Sequence, residues 1–171
     1  MAAAPNSPQA VSAFKRQGWC AIKVAQFDNF SDEAIVIDAG MACVIEDVLT
    51  TNVLLNRARP KPAGAITLAG TDHYLNRVES NTSLHALSSD GPERIIAAFL
   101  IRGANHFISN CVGEISDVGY IVEGLYHRFT GCRGDRNFGE GFIINCKLTT
   151  FSSCTALDNN HDPKSEGRRA S

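Results

Sequence analysis

The sequence lacks a long apolar run, a strong charge imbalance and a secretory leader. Its 171 residues carry 16 basic and 18 acidic side chains, so no excess of positive charge predicts a nucleic-acid partner. The apolar runs are far shorter than the roughly 20 residues that cross a bilayer, which predicts no membrane segment. The first residues lack the basic start and apolar centre of a signal peptide. We therefore expect a cytoplasmic protein, or one carried on a virion or exported by a non-classical route.

The six cysteines form no CxxC or CxxH pair, and this absence argues against a zinc site. Three of them, Cys111, Cys132 and Cys154, recur at intervals of 21 and 22 residues. Cysteines at such an interval are expected to stack in an apolar core, where a disulfide forms only if the side-chain geometry allows it. We predict that this column consists of free buried thiols.

What the sequence does contain is an internal repeat, in which AFLIRGANHFISNC is followed by GYIVEGLYHRFTGC and GFIINCKLTTFSSC. Four further columns keep the register of the cysteines. They are Phe99, Tyr120 and Phe142; Ile101, Val122 and Ile144; Gly103, Gly124 and Cys146; and Ile108, Phe129 and Phe151. A period near 22 residues, with short alternating apolar runs and no helix-length segment, predicts a solenoid built from strands.

We predict an all-β fold, a single-stranded right-handed parallel β-helix of about six coils over residues 19–160. Successive parallel strands lie about 4.8 Å apart, so equivalent apolar side chains stack into columns. Residues 1–18 do not fit the repeat, and segment 10–17 is predicted to be a short helix that caps the first coil. Residues 161–171 are polar and are expected to be disordered.

Two segments, residues 52–64 and 79–94, are longer than the repeat allows and are predicted to be loops on one side of the solenoid. Such insertions either form a functional surface or are loops at positions where the fold tolerates extra residues. At the other end, the last coil stops part-way round. Either the tail folds over it, or another chain covers it as in a homo-trimer, or the sequence is the front part of a longer protein.

Arg102, Glu123 and Asn145 are predicted to form an outward-facing column on the regular strand. At a separation of about 4.8 Å, Arg102 and Glu123 form either a surface ion pair or a catalytic pair. In the catalytic interpretation, Asn145 contacts the substrate.

His73, His106 and His127 form a second predicted column. Stacked imidazoles can bind a metal or act as acid and base, which makes His127 a candidate catalytic residue and His106 a candidate substrate contact. The alternative is a solvent-exposed stack without a function.

The segment GCRGDRNFGEG places Arg133, Asp135 and Arg136 at one turn. Glu114 lies one repeat earlier and Asp158 one repeat later, so oxygen atoms of Glu114, Asp135 and Asp158 are candidate calcium ligands. Calcium is the one cofactor that the sequence suggests. Arg133 and Asp135 are also candidate catalytic residues, and Arg136 could hold a sugar carboxylate in bidentate fashion. The alternative is a turn held together by local salt bridges.

The segments FTGCRGDRNFGEGFII and FSSCTALDNN resemble the recurring phrase of the pectin-lyase-like superfamily. This sequence motif consists of an apolar residue, two small residues, Cys, and a polar turn with Asn before Gly-Phe. The resemblance covers roughly residues 65–160 and implies the β-helix of polysaccharide lyases and phage tail-spike depolymerases. The catalytic signatures of polygalacturonases, pectate lyases and alginate epimerases are absent.

The resemblance implies a carbohydrate-active or carbohydrate-binding protein for an acidic polysaccharide. If the protein is an enzyme, it is a polysaccharide lyase or a glycoside hydrolase. In a lyase, a basic side chain removes the proton beside the uronate carboxylate while arginine or calcium neutralises the developing charge. The alternative is a non-catalytic structural or adhesive module of the tail-spike type, or a truncated relative. A third hypothesis is a small-molecule pocket beneath the loop at residues 52–64.

Overall fold

The computed structural model describes residues 11–12, 19–30, 33–54, 62–84 and 96–160. Every regular element within these residues is a strand, which confirms the all-β prediction. In chain order the strands are β1 (Val11–Ser12), β2 (Ala21–Phe30), β3 (Ile35–Ile37), β4 (Val44–Leu54), β5 (Ala63–Leu68), β6 (Tyr74–Leu84), β7 (Ile96–Ile101), β8 (Phe107–Ser109), β9 (Val112–Ser116), β10 (Val118–Leu125), β11 (Arg128–Thr130), β12 (Arg133–Asp135), β13 (Phe142–Lys147), β14 (Thr150–Ser152) and β15 (Thr155–Leu157). No helix in the described ranges could cross a membrane.

The strands form two parallel sheets, and the chain alternates between them. The first sheet has the order β1-β3-β5-β7-β10-β13. The second sheet contains the long strands β2, β4 and β6, followed by the short pairs β8 and β9, β11 and β12, and β14 and β15. Each strand therefore pairs with its counterpart one repeat away, as the sequence repeat predicts.

The register confirms the predicted apolar columns. Tyr120 pairs with Phe99 and Phe142, and its ring stacks on theirs with centroid distances of 4.8 and 4.6 Å. In the other sheet, Phe129 pairs with Phe151, and the two rings stack at 4.7 Å. The two columns meet edge to face, with 6.2 Å between the ring centroids of Tyr120 and Phe129. The main core thus lies between the two sheets and is filled from both.

A left-handed residue divides each later strand of the second sheet into two. Asn110, Gly131 and Ser153 have φ angles of 53°, 64° and 53°, and each lies between two short strands. Asn and Gly tolerate this conformation better than other residues do. In the first sheet, Gly124 has a φ of 106°, and a Cβ atom there would collide with the carbonyl oxygen of Gly103. Glycine at positions 103 and 124 of the predicted column is therefore required by backbone conformation and by close approach.

The predicted N-terminal helix is not seen. Val11 and Ser12 instead form β1, which pairs in parallel with β3 and extends the first sheet by one strand. The open edge of β3 offers backbone hydrogen bonds that a strand can use and a helix cannot. The rest of segment 10–17 and the tail at residues 161–171 lie outside the described residues.

The two long segments begin later than predicted. Residues 52–54 and 79–84 continue β4 and β6, and Val53 pairs with Ser83. Polar residues such as Asn81 are accommodated because β6 has backbone partners in β4 on one side and β9 on the other. The first segment also ends earlier than predicted, because β5 begins at Ala63. Residues 55–61 and 85–94 lie outside the described residues.

Cys20 and Cys43 form a disulfide that the sequence analysis did not predict. They immediately precede β2 and β4, whose first residues Ala21 and Val44 pair in register, and their Cα atoms are 4.5 Å apart. The prediction of free buried thiols is confirmed for Cys111 and Cys132. Cys154 is also free but is only partly buried.

Candidate functional site

The outward column on the first sheet contains the predicted ion pair. Arg102 lies at the end of β7, and its Nε is 2.7 Å from Oε2 of Glu123 on β10. Glu123 pairs in turn with Asn145 on β13. Both charged side chains are about one-third exposed, so the pair contributes at most about 1 kcal/mol. The Arg102 guanidinium holds Oε2 of Glu123, which leaves that oxygen poorly placed to act as a general base.

His73, His106 and His127 form a stacked ladder that is buried, so the prediction that the stack is solvent-exposed is wrong. We call these three residues the histidine ladder. Neighbouring ring centroids are 4.8 and 4.9 Å apart, and the rings are tilted by only 8° and 15°. The residues lie where the chain turns from the first sheet into the second, and their side chains point inward.

Both nitrogens of each ring are engaged by the backbone. The amide N–H of His73 donates to Nδ1 of His106 at 3.1 Å, and that of His106 donates to Nδ1 of His127 at 3.3 Å. Each Nε2 donates to the carbonyl oxygen four residues earlier, at 2.6 to 3.0 Å. Since Nδ1 accepts, each ring is the neutral Nε2–H tautomer. The ladder ends where the amide of His127 donates to Oγ1 of Thr149.

The surroundings hold the histidine ladder in its neutral form. Burial lowers the pKa of His106 to about 4, against the opposing hydrogen bond to the Arg102 carbonyl. The neighbouring imidazoles lower this pKa further. Burial also lowers the pKa values of His73 and His127. With no nitrogen left over, His106 and His127 are structural groups in this conformation and do not present a metal ligand or a base.

Glu114, Asp135, Arg133 and Arg136 lie close together on the adjacent strands β9 and β12 of the second sheet, with Arg136 immediately after β12. Glu114 is 5% exposed; its Oε2 accepts from Nη2 of Arg136 at 2.6 Å, and its Oε1 accepts from Nδ2 of Asn81 at 2.6 Å. Asp135 pairs in register with Glu114, and its Oδ2 lies 3.6 Å from Nε of Arg133. Two buried carboxylates on adjacent strands are therefore each compensated by a guanidinium.

This arrangement is the predicted turn with local salt bridges rather than the calcium site. Within the described residues, no group of three or more His, Cys, Asp or Glu could hold a metal ion. Glu114, Asp135 and Asp158 are thus not brought together as ligands. The physical reason is that arginines from the same turn supply the positive charge that a calcium ion would have supplied.

Asn137 and Asn159 form a second ladder that the sequence analysis missed. The amide N–H of Ser116 donates to Oδ1 of Asn137 at 3.1 Å, and that of Asn137 donates to Oδ1 of Asn159 at 3.0 Å. Their Nδ2 atoms donate to the carbonyl oxygens of Gly113 and Gly134. The available signal was the interval of 22 residues between the two asparagines, which is the interval of the repeat.

No family model, curated protein or solved structure matches the chain. The relationship to the pectin-lyase-like superfamily remains a prediction that rests on the two quoted segments.

An open cleft of about 430 Å³ lies beside the end of the histidine ladder. It is lined by Asn105, Tyr126, His127, Arg128, Leu148 and Thr150. Tyr126 is 52% exposed, and the Arg128 guanidinium lies 5.1 Å from the centre of the Phe107 ring. The cleft thus combines an exposed aromatic face with an amide and a cation. The small-molecule pocket predicted beneath residues 52–64 falls largely outside the described residues.

The last three strands form an open end within the described part of the chain. There, β13, β14 and β15 pair only with β10, β11 and β12. The large exposed apolar side chains of these strands are Ile144, Phe151 and Leu157. Cys154 lies at the same end, between β14 and β15. This surface combines unpaired strand edges with apolar side chains.

Proposed function

We propose that the chain is a right-handed parallel β-helix of about six coils that serves as a non-catalytic structural module. The observation that carries the proposal is that the candidate catalytic groups are already engaged in ion pairs and hydrogen bonds within the chain. Glu123 is paired with Arg102, Asp135 with Arg133, and His127 with backbone groups. A general base needs a carboxylate or imidazole that can reach a substrate proton. The stacked columns favour a scaffold over an active site.

The module assembles through its last coil. Unpaired strand edges recruit further strands, and the exposed Phe151 and Leu157 would be removed from water by such a contact. We propose a homo-trimer in which each copy covers the open end of its neighbours, as in tail-spike-type proteins.

Two measurements test this proposal. The chain is incubated with polygalacturonate and with alginate, with and without calcium, and the ultraviolet absorbance of the unsaturated product is followed. We expect no product, and light scattering should give the mass of a trimer. Product formation that is lost in Glu123→Gln would overturn the structural proposal in favour of a lyase.

A matched pair of variants tests the assembly surface. Phe151 on β14 is 36% exposed and Tyr74 on β6 is 38% exposed, but β6 has strand partners on both sides. Phe151→Ser should therefore reduce the trimer to monomer, whereas Tyr74→Ser should leave the mass unchanged. A trimer that survives Phe151→Ser would place the contact elsewhere.

A second function, binding of an acidic polysaccharide without cleavage, is favoured by the cleft. The exposed ring of Tyr126 offers a face on which a sugar can stack, and Arg128 offers a cation for a uronate carboxylate. Asn105 and Thr150 supply hydrogen-bonding groups beside them. No catalytic group is required for this role.

Isothermal titration with alginate oligomers tests the cleft. Arg128→Gln and Tyr126→Ala should each weaken binding, since they remove the cation and the stacking face. Arg77→Gln is the control, because Arg77 is an exposed arginine whose charge is already paired with Asp47. If Arg128→Gln and Arg77→Gln weaken alginate binding equally, the oligomer responds only to the overall positive charge of the surface and not to the cleft.

A further inference from the structure

Three free cysteines lie one above another at the open end of the molecule. Cys111, Cys132 and Cys154 immediately precede β9, β12 and β15, whose first residues pair in register. Each sulfur lies 3.2 to 3.7 Å from the carbonyl oxygen two residues earlier. The three side chains therefore point in the same direction and stack at about the strand spacing of 4.8 Å.

The same arrangement is already bridged elsewhere in the chain. Cys20 and Cys43 also immediately precede in-register strands, and they form a disulfide across a Cα separation of 4.5 Å. Disulfides usually span Cα separations of about 4.4 to 6.8 Å, a range that includes the spacing of adjacent strands. The backbone of consecutive repeats thus allows a bond between Cys132 and Cys154 once one side chain rotates.

Access and acidity differ along the column. Cys111 and Cys132 are fully buried, whereas Cys154 is partly exposed, so a reagent from solvent reaches Cys154 first. A hydrogen bond with the Cys111 thiol lowers the pKa of Cys132. Burial raises the pKa of Cys154. Since the thiolate is the nucleophile, the first attack by Cys154 is slow and a following attack by Cys132 is favoured.

We propose that Cys154 and Cys132 form a dithiol site that is oxidised by low-molecular-weight disulfides such as oxidised glutathione. In the first step the Cys154 thiolate attacks one sulfur of the reagent, which gives a mixed disulfide and releases one glutathione thiolate. In the second step the Cys132 thiolate attacks Sγ of Cys154, which forms the Cys132–Cys154 bond and releases the second glutathione thiolate. The two cysteines lose two protons and two electrons, and the reagent becomes two thiols.

The resulting bond joins the last two repeats covalently. It would tie the open end, where β15 pairs only with β12 in the described part of the chain, to the interior column. The inference does not depend on the proposed trimer. Its test is therefore run at a protein concentration at which light scattering finds monomers.

The test uses the full chain, reduced and then treated with oxidised glutathione, followed by digestion without reduction and mass spectrometry. We expect a linked peptide pair containing Cys132 and Cys154. Cys132→Ser should stop the reaction at a glutathione adduct on Cys154. Cys154→Ser should leave Cys132 unmodified, because no exposed thiol then remains in the column.

Cys146 provides a matched internal control. It is a partly buried free cysteine on β13, but the residue that pairs with it one repeat earlier is Gly124, so that position offers no thiol. Cys146 should therefore retain its glutathione adduct, and Cys146→Ser should leave the Cys132–Cys154 yield unchanged. This comparison separates stacking of thiols from simple exposure.

Three outcomes would overturn the inference. One is a stable glutathione adduct on Cys154 in the unaltered chain, at the same level as on Cys146. Another is a disulfide between the Cys154 residues of two different chains. The third is no modification of Cys154 while Cys146 reacts. Each is read from the unaltered chain, so it remains informative even if a variant fails to fold.

Discussion

Acidification should destabilise the protein by protonating the histidine ladder, and the effect should appear well above the pH at which carboxylates titrate. In the unfolded chain, a histidine has a pKa of about 6.5, whereas the folded environment lowers the pKa of His106 to about 4. Between these values the unfolded chain binds more protons than the folded chain. Stability is therefore complete above about pH 6.5 and falls as the pH decreases toward about 4.

The size of the effect follows from the pKa difference. A shift from 6.5 to about 4 corresponds to about 3 kcal/mol for His106. The pKa values of His73 and His127 are lowered in the same direction and add to this loss. Because domains are stable by only about 5 to 15 kcal/mol, the loss is a large fraction of the total.

Urea denaturation at a series of pH values measures the effect. His106→Gln should reduce the slope of unfolding free energy against pH by the equivalent of about half a bound proton at pH 6.5, rising to about one at pH 5. Asp47→Asn is the control, because hydrogen bonding to Arg77 lowers the pKa of that carboxyl from 3.8 and confines its effect to lower pH. An unchanged slope in His106→Gln, or stability that is constant between pH 6.5 and 5, would refute the reasoning.

Three further predictions concern the stability of the folded chain and are measured by urea denaturation at neutral pH. Gly124→Ala should cost more than about 1 kcal/mol, since its φ is 106° and a Cβ would collide with the Gly103 carbonyl; a neutral effect would contradict this. Arg136→Met should destabilise the chain more than Arg77→Met does, because Arg136 pairs with the buried Glu114 whereas Asp47, the partner of Arg77, is exposed; equal losses would contradict this. Phe129→Ala should cost about 3 to 5 kcal/mol, and Phe151→Ala in the monomer should cost clearly less because Phe151 is already partly exposed.

The repeat made the stacked part of the fold predictable. Once Phe99, Tyr120 and Phe142 were aligned, parallel pairing and an aromatic column followed from the strand spacing, and the register is as expected. The first repeats were less predictable, because the sequence there keeps only part of the pattern. Cys20 and Cys43 are 23 residues apart but lie outside the aligned repeats, so their pairing could not be derived from the cysteine column.

The environment of the histidine ladder was not predictable from residue type. Each histidine of the ladder lies at a bend, three residues after a glycine, and polar residues at bends are usually exposed. Here, however, the bend places each ring inside, where Nδ1 of His106 and Nδ1 of His127 each accept a hydrogen bond from the amide N–H of the histidine one repeat earlier. The spacing of the histidines can be read from the sequence, but the direction in which their side chains point at the bend cannot. The same limitation applied to Asn137 and Asn159.

These ladders also indicate where function is to be sought in a stacked chain. A polar residue that repeats in register lies next to the equivalent residue one repeat away. The two residues use each other's hydrogen-bond donors and acceptors, which are then not available to a ligand. His106 and Asn137 are satisfied in this way. Groups available to a ligand are then found where a column ends. The histidine ladder ends at Thr149, and the cleft with Tyr126 and Arg128 lies beside that end, which is why we place the proposed sugar contact there.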